Sequence, residues 1–324
     1  MKTLLLLAVA STFTLSSMGQ AAQSDTGYAN PVYRSNFPDP NLVKAKDGYF
    51  YAYATNGGKY TIPVVKSKDL VNWTFVGDAF EKRPDWKKDG GGIWAPDVTY
   101  YRKKYLMFYS WSLWGDPNPA IGVAVSQKPE GPFTDLGSLF YSKEIGVANS
   151  IDPFLYVDKQ TPYLIWGSFH GIYGIELTKD GTHVKGEKFQ LADNQYEGSY
   201  IYKRGKYYYY FGSAGTCCEG VKSTYRVKVG RSLSLKGPYL DQNGRSLMEG
   251  GGTLLLEGNG TFAGPGHNGD IVEDKKHQTW FVYHAFSREN TKGREMLLDK
   301  IEWVNDWPVI KDKQPSLHSD SPSF

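Results

Sequence analysis

Gly205-Lys-Tyr-Tyr-Tyr-Tyr-Phe-Gly-Ser213 is the clearest of five related stretches in this chain. The others are Gly48-Tyr-Phe-Tyr-Ala-Tyr-Ala-Thr55, Lys103-Lys-Tyr-Leu-Met-Phe-Tyr-Ser110, Thr161-Pro-Tyr-Leu-Ile-Trp-Gly-Ser168 and His277-Gln-Thr-Trp-Phe-Val-Tyr-His-Ala285. Each reads as an aromatic β-strand. Their starts lie about 45–70 residues apart, the interval of a four-stranded blade with variable loops. Between them run β-like segments such as Ile62-Pro-Val-Val65, Ile121-Gly-Val-Ala-Val125 and Val227-Lys-Val-Gly230, each followed by a polar turn. No helical periodicity of ten or more residues follows the N-terminal segment. The pattern implies an all-β, five-bladed β-propeller in a single domain, with an ordinary β-sandwich as the competing architecture. Residues 296–310 read as closing strands and residues 315–324 as a loose tail.

Eight to thirteen residues before the first aromatic of each copy stands one polar residue in a Pro- or Gly-marked context: Asp39, Asp97, Asp152, Glu197 and His267. If each opens the innermost strand of its blade, four carboxylates and an imidazole converge on one axis. Converging carboxylates repel, so at least one is pushed toward a raised pKa while others stay ionised. That division is what an acid/base pair requires, and glycosidic bond cleavage uses such a pair. Carboxylates on opposite blades leave room for a water, which favours inversion. Taken singly, an Asp beside Pro is a turn residue and a lone His is structural; the five-fold setting is what raises them.

The N-terminus reads as an export signal over residues 1–22. Lys2 supplies the positive start, Leu4 to Val9 open the apolar stretch, and Ser16 to Ala22 offer small residues for cleavage. The apolar run is too short for a spanning helix, so residues 23–324 are expected to form a periplasmic or secreted, monomeric domain. The net charge of +3 comes with no long basic run, which disfavours nucleic acid. Aromatics make up 15% of the chain, enough to fill a β core and still offer rings to sugars; Trp94 and Trp114, beside Pro and Gly, are the candidate platforms. Adjacent Cys217 and Cys218 are too few and too close for a zinc cage. They read first as idle or buried thiols, with a disulfide between neighbours as the alternative that an exported setting permits. His170, His183, His277 and His284 lack sequence partners that would make a triad.

These residues resemble glycoside hydrolase family 43 over essentially the whole mature chain. Phe37-Pro-Asp39-Pro, Ile151-Asp152-Pro and Tyr196-Glu197-Gly-Ser match its three catalytic motifs in order, and Ile93-Trp-Ala-Pro-Asp97 matches its second-blade signature. Within the family, Cys217-Cys-Glu-Gly-Val-Lys-Ser-Thr-Tyr225, Met248-Glu-Gly-Gly-Gly-Thr-Leu-Leu-Leu-Glu257 and Gly264-Pro-Gly-His-Asn268 are similar to arabinan endo-1,5-α-L-arabinosidases. The resemblance implies a propeller that hydrolyses arabinan, with Asp39 as general base, Glu197 as general acid and Asp152 as pKa modulator. It also implies a central calcium ion contacted by His267, and a substrate groove lined by Gly115, Asn149, Ser150, Ile151, Asp152, Ser168 and Phe169. Pro38 and His170 depart from the arabinanase pattern, where His and Trp are common. Exo-arabinanase, arabinofuranosidase or β-xylosidase action therefore stays open, as does a non-catalytic sugar-binding propeller.

Overall fold

The computed structural model describes residues 27–290 and 293–324; the export-signal reading lies outside them. Five antiparallel sheets follow one another along the chain. The first blade contains strands Asn41–Lys44, Phe50–Tyr53, Pro63–Ser67 and Thr74–Asp78. The second begins with Gly92–Tyr101 and Lys104–Ser112, the third with Phe154–Asp158 and Thr161–Trp166, and the fourth with Glu197–Arg204 and Tyr207–Ala214. In the fifth, Phe262–Gly266 and Ile271–Glu273 both pair with Thr279–Ser287, which pairs with Arg294–Val304. The five aromatic stretches are thus the second strands of five blades. Among the described residues no helix is long and apolar enough to cross a membrane.

Alternation of side chains along a strand explains why these second strands are so aromatic. In the first blade Phe50 and Ala52 face the fifth blade, packing with Trp280 and Val282, while Tyr51 and Tyr53 face the second, packing with Tyr105, Met107 and Tyr109. Leu106 and Phe108 turn the other way, toward Leu164 and Trp166 of the third blade. A second strand is therefore buried on both faces, and large rings fill the wedge-shaped gaps between twisted sheets. Each fully buried ring contributes roughly 1.5–3 kcal/mol of transfer free energy.

The ring closes through both ends of the chain. Gly27–Ala29 pairs with His318–Asp320. Asn30 bonds Leu298 in both directions, Tyr33 bridges Met296, and Phe37 N–H donates to the Arg294 carbonyl at 2.7 Å. The beginning of the chain thus lies along the third strand of the last blade. The expected loose tail is corrected: Phe324 packs edge-on against Phe50 of the first blade with ring centroids 4.6 Å apart, and Ser323 is bonded to residues 274 and 275. The reading of idle thiols is corrected too, since Cys217 and Cys218 form a disulfide in a solvent-facing loop after the second strand of blade four.

Side chains on the inner strands tie neighbouring blades below the top of the channel. Asn41 Nδ2 donates to Asp97 Oδ1 at 3.1 Å and to Asp270 Oδ2 at 2.9 Å, and Leu155 N–H donates to Asp97 Oδ2 at 2.9 Å. Asp97 so links the first, second and third blades. Burial, then the nearby Asp270, pushes its carboxyl well above the usual range, and burial pushes Asp270 up to about 7. Asp97→Ala leaves the Leu155 N–H buried without an acceptor and should cost about 1–3 kcal/mol. Calorimetry should show a melting temperature several degrees lower, and an unchanged melt would mean this knot carries no stability.

Candidate active site

At the top of each inner strand the backbone takes one left-handed step. The residues are Asp39, Ala95, Asp152, Gly198 and His267, with φ of 54°, 43°, 59°, 56° and 45°. For a residue with a Cβ this costs about 1–2 kcal/mol, and such strain persists only where surroundings over-determine it. Gly198 needs its missing side chain for a second reason: a Cβ there would lie 2.9 Å from His267 Cγ.

This five-fold register corrects one expectation. Asp97 is not the second-blade equivalent of Asp39 and Asp152; Ala95 is. Asp97 lies two residues farther along, as Asn41 does from Asp39, so its carboxyl joins the layer beneath. An irregularity in the strand pairing between Trp94 and Asp97 accounts for the offset. Glu197 precedes its left-handed residue by one, and another pairing shift follows it.

Asp39, Asp152, Glu197 and His267 do come together. His267 Nδ1 stands 3.3 Å from Asp39 Oδ1 and 4.0 Å from Asp152 Oδ2. Two further residues complete the surroundings of Asp39. The Arg294 guanidinium donates to Asp39 Oδ1 at 2.7 Å, and His284 Nδ1 accepts the Asp39 N–H at 3.0 Å. Thr55 donates its hydroxyl to Asp39 Oδ2. Arg294 is delivered by ring closure, where Phe37 and Asn36 bond its backbone. His284 was visible as the polar end of the fifth aromatic stretch, matching Thr55, Ser110, Ser168 and Ser213.

The carboxyls are driven apart electrostatically. Burial alone would raise Asp39, but Arg294, then the His267 imidazolium, outweigh it and hold this group well below the usual carboxylate range. Burial raises Asp152 to about 7, with Glu197 and Asp39 adding repulsion and His267 opposing it. Burial also raises Glu197, against the hydroxyl of Ser168, which donates to Oε2 at 2.6 Å. Asp152 and Glu197 therefore titrate as a linked pair. Burial would strip the proton from His267, but Asp39 and Asp152 raise it to about 9. His284, by contrast, is kept neutral by burial and by Arg294. At neutral pH the site holds an ionised Asp39, an imidazolium at His267, and a protonatable pair at Asp152 and Glu197.

The expected groove residues divide. Asn149 Nδ2 donates to Ser168 Oγ at 3.0 Å, extending the chain of bonds that ends on Glu197. Phe169 is half-buried beside it, and exposed Gly115 adjoins Trp114, which is 77% exposed and 6.1 Å from the Trp94 ring. Ser150 is corrected: it is wholly buried, its hydroxyl donates to the Val147 carbonyl and accepts from Trp166 Nε1, and it braces the wall from behind. Ile151 is also buried, with its carbonyl taken by Gly167 N–H.

Comparison with known proteins places this geometry. The profile of the Glycosyl hydrolases family 43 matches residues 28–308. The extracellular endo-α-(1→5)-L-arabinanase 1 of Bacillus subtilis is 35% identical over 83% of this chain and 86% of its own. The extracellular exo-α-(1→5)-L-arabinofuranosidase ArbA of Cellvibrio japonicus is 32% identical over 85% and 86%. A solved Cellvibrio cellulosa α-L-arabinanase, complexed with arabinohexaose, superposes with a TM-score of 0.78 at 30% identity, covering 86% of this chain and 96% of that one.

Proposed function

The chain belongs to the glycosyl hydrolases of family 43, and on that premise we propose that it cleaves internal 1,5-α-L-arabinofuranosidic bonds of arabinan with inversion. The observation that carries the mechanism is the contrast between Asp39, held ionised on the first blade, and Glu197, raised toward its protonated form on the fourth. The fifth blade, bearing His267, stands between them. Asp39 takes a proton from water as the water oxygen attacks the anomeric carbon. Glu197 gives its proton to the departing oxygen, and both groups reset by exchange with solvent. Asp152 accepts the Gly198 N–H at 3.2 Å, next to Glu197, and its shared titration keeps the acid's proton available. Trp94 and Trp114 offer rings to sugar faces at the rim. The protein is proposed to be exported, as its extracellular relatives are, and to act as a single chain, since one ring carries every group named.

Exo action is the second reading. It is favoured by the exo-acting relative's similarity and by exposed His170 beside Phe169, a departure that would reshape one end of the groove. Digestion of linear 1,5-α-arabinan separates the two: a ladder of oligosaccharides early in the reaction is expected. Arabinose or one fixed short product from the start would overturn the endo reading. Glu197→Ala should lower turnover on arabinan by about 100- to 10,000-fold, with much of that loss absent on an aryl arabinoside whose leaving group needs no proton. Equal losses on both substrates would remove Glu197 from the acid's role.

A calcium ion at the axis belongs to the same proposal. Among the described residues no group of three or more His, Cys, Asp or Glu forms a cage. His267 has one nitrogen turned to Asp39, leaving only the other, while Asn268 Oδ1 is a buried oxygen without a partner. The residues thus suit an ion held mostly by water, with the Asn268 oxygen as a contact and the free His267 nitrogen as a second once the ion has displaced that nitrogen's proton. When bound, it would add positive charge beside the carboxylates. Chelation should lower the melting temperature as well as turnover; a melt and a turnover that both ignore chelator and added calcium would exclude the ion.

A further inference from the structure

The ends of the five aromatic strands carry Thr55, Ser110, Ser168, Ser213 and His284, all buried. Four of them accept a hydrogen bond from the left-handed residue of the next blade. Thr55 Oγ1 accepts the Ala95 N–H at 2.8 Å, Ser110 Oγ the Asp152 N–H at 2.9 Å, Ser213 Oγ the His267 N–H at 2.8 Å and His284 Nδ1 the Asp39 N–H at 3.0 Å. Ser168 reaches the next blade as well, but on the Glu197 carboxylate itself. The direction never reverses: each blade holds the left-handed residue of the one after it or, from Ser168, the carboxylate beside it, and the fifth holds that of the first.

We propose that Ser110, Ser213 and His284 are positioning residues of the hydrolysis, each fixing the left-handed turn that aims a functional side chain of the following blade. This rests on the hydrolase reading and deepens it. Ser110, Ser213 and His284 are fully buried, so none of them meets substrate. A strand-end side chain used only for packing would need no acceptor atom aimed at one particular amide, and the acceptor recurs although its chemistry changes from hydroxyl to imidazole. In His284 the ring also stacks on Tyr225, with planes 12° apart, so its nitrogen is held in place. Loss of the acceptor leaves a strained turn free to relax, and a displacement of about 1 Å at a reacting group costs on the order of 100-fold in rate.

The test pairs removal with rescue. Ser110→Ala should lower kcat on arabinan by about 10- to 100-fold with KM within about twofold. Ser110→Thr, the residue the first blade uses in this place, should recover most of it. His284→Phe keeps a flat ring against Tyr225 but no acceptor and should lose kcat likewise, while His284→Asn restores an acceptor near Nδ1 and should regain it. Melting temperatures show whether each variant folds. Backbone amide exchange supplies a readout independent of catalysis: the Asp152 amide should exchange about tenfold faster or more in Ser110→Ala, with Leu155 unchanged. Wild-type kcat and unchanged exchange in Ser110→Ala and His284→Phe would overturn the inference. A wild-type enzyme without activity on arabinan would instead refute the substrate, leaving the exchange experiment to decide the positioning role.

Discussion

A backbone N–H that points into a closed axis must find an acceptor, and in this ring it finds one on the neighbouring blade. That requirement organises the top of the channel. It fixes the left-handed residues in place and makes the position of each functional group depend on the packing between two sheets rather than on one loop. Sheet packing here is aromatic on both faces, so it is stiff, and the stiffness is passed to the site through single hydrogen bonds.

The repeat made the propeller and the convergence of Asp39, Asp152, Glu197 and His267 legible in the sequence, because aromatic strands buried on both faces cannot disguise their period. What the repeat obscured was register. Ala95 has no polar side chain, so the eye passes to Asp97 two residues on, and only the pairing irregularity beside it shows the mismatch. Ser150 misled in the opposite sense: it lies between two exposed-looking motif residues, yet the turn folds its hydroxyl inward. Arg294 could not have been found by any local pattern, since its place beside Asp39 follows from contacts across 255 residues of chain. His284 could have been found, had the polar ends of the five strands been read as a series.

Charge in the site is divided by burial and by one guanidinium. Three buried carboxyls at one axis would all tend toward neutrality. Arg294 breaks that symmetry by serving Asp39 alone, and the imidazolium of His267 reinforces it from the other side. Asp152 and Glu197, without such a partner, are left to share protons with solvent. Below them Asp97 and Asp270 are also raised, with Asn41 set between them as a neutral donor, so polarity continues down the channel with its negative charge reduced.

The seam where the ring closes passes through the carboxylate at position 39. Its guanidinium partner is residue 294 and the imidazole holding its amide is residue 284, so the first functional group along the chain is completed by residues of the last blade. A nascent chain carries every blade but the fifth without possessing a functional centre. A chain that ended before the fifth blade would lack both the guanidinium and the imidazole that surround Asp39. The surroundings of Asp39 are therefore complete only when the first and last blades have met.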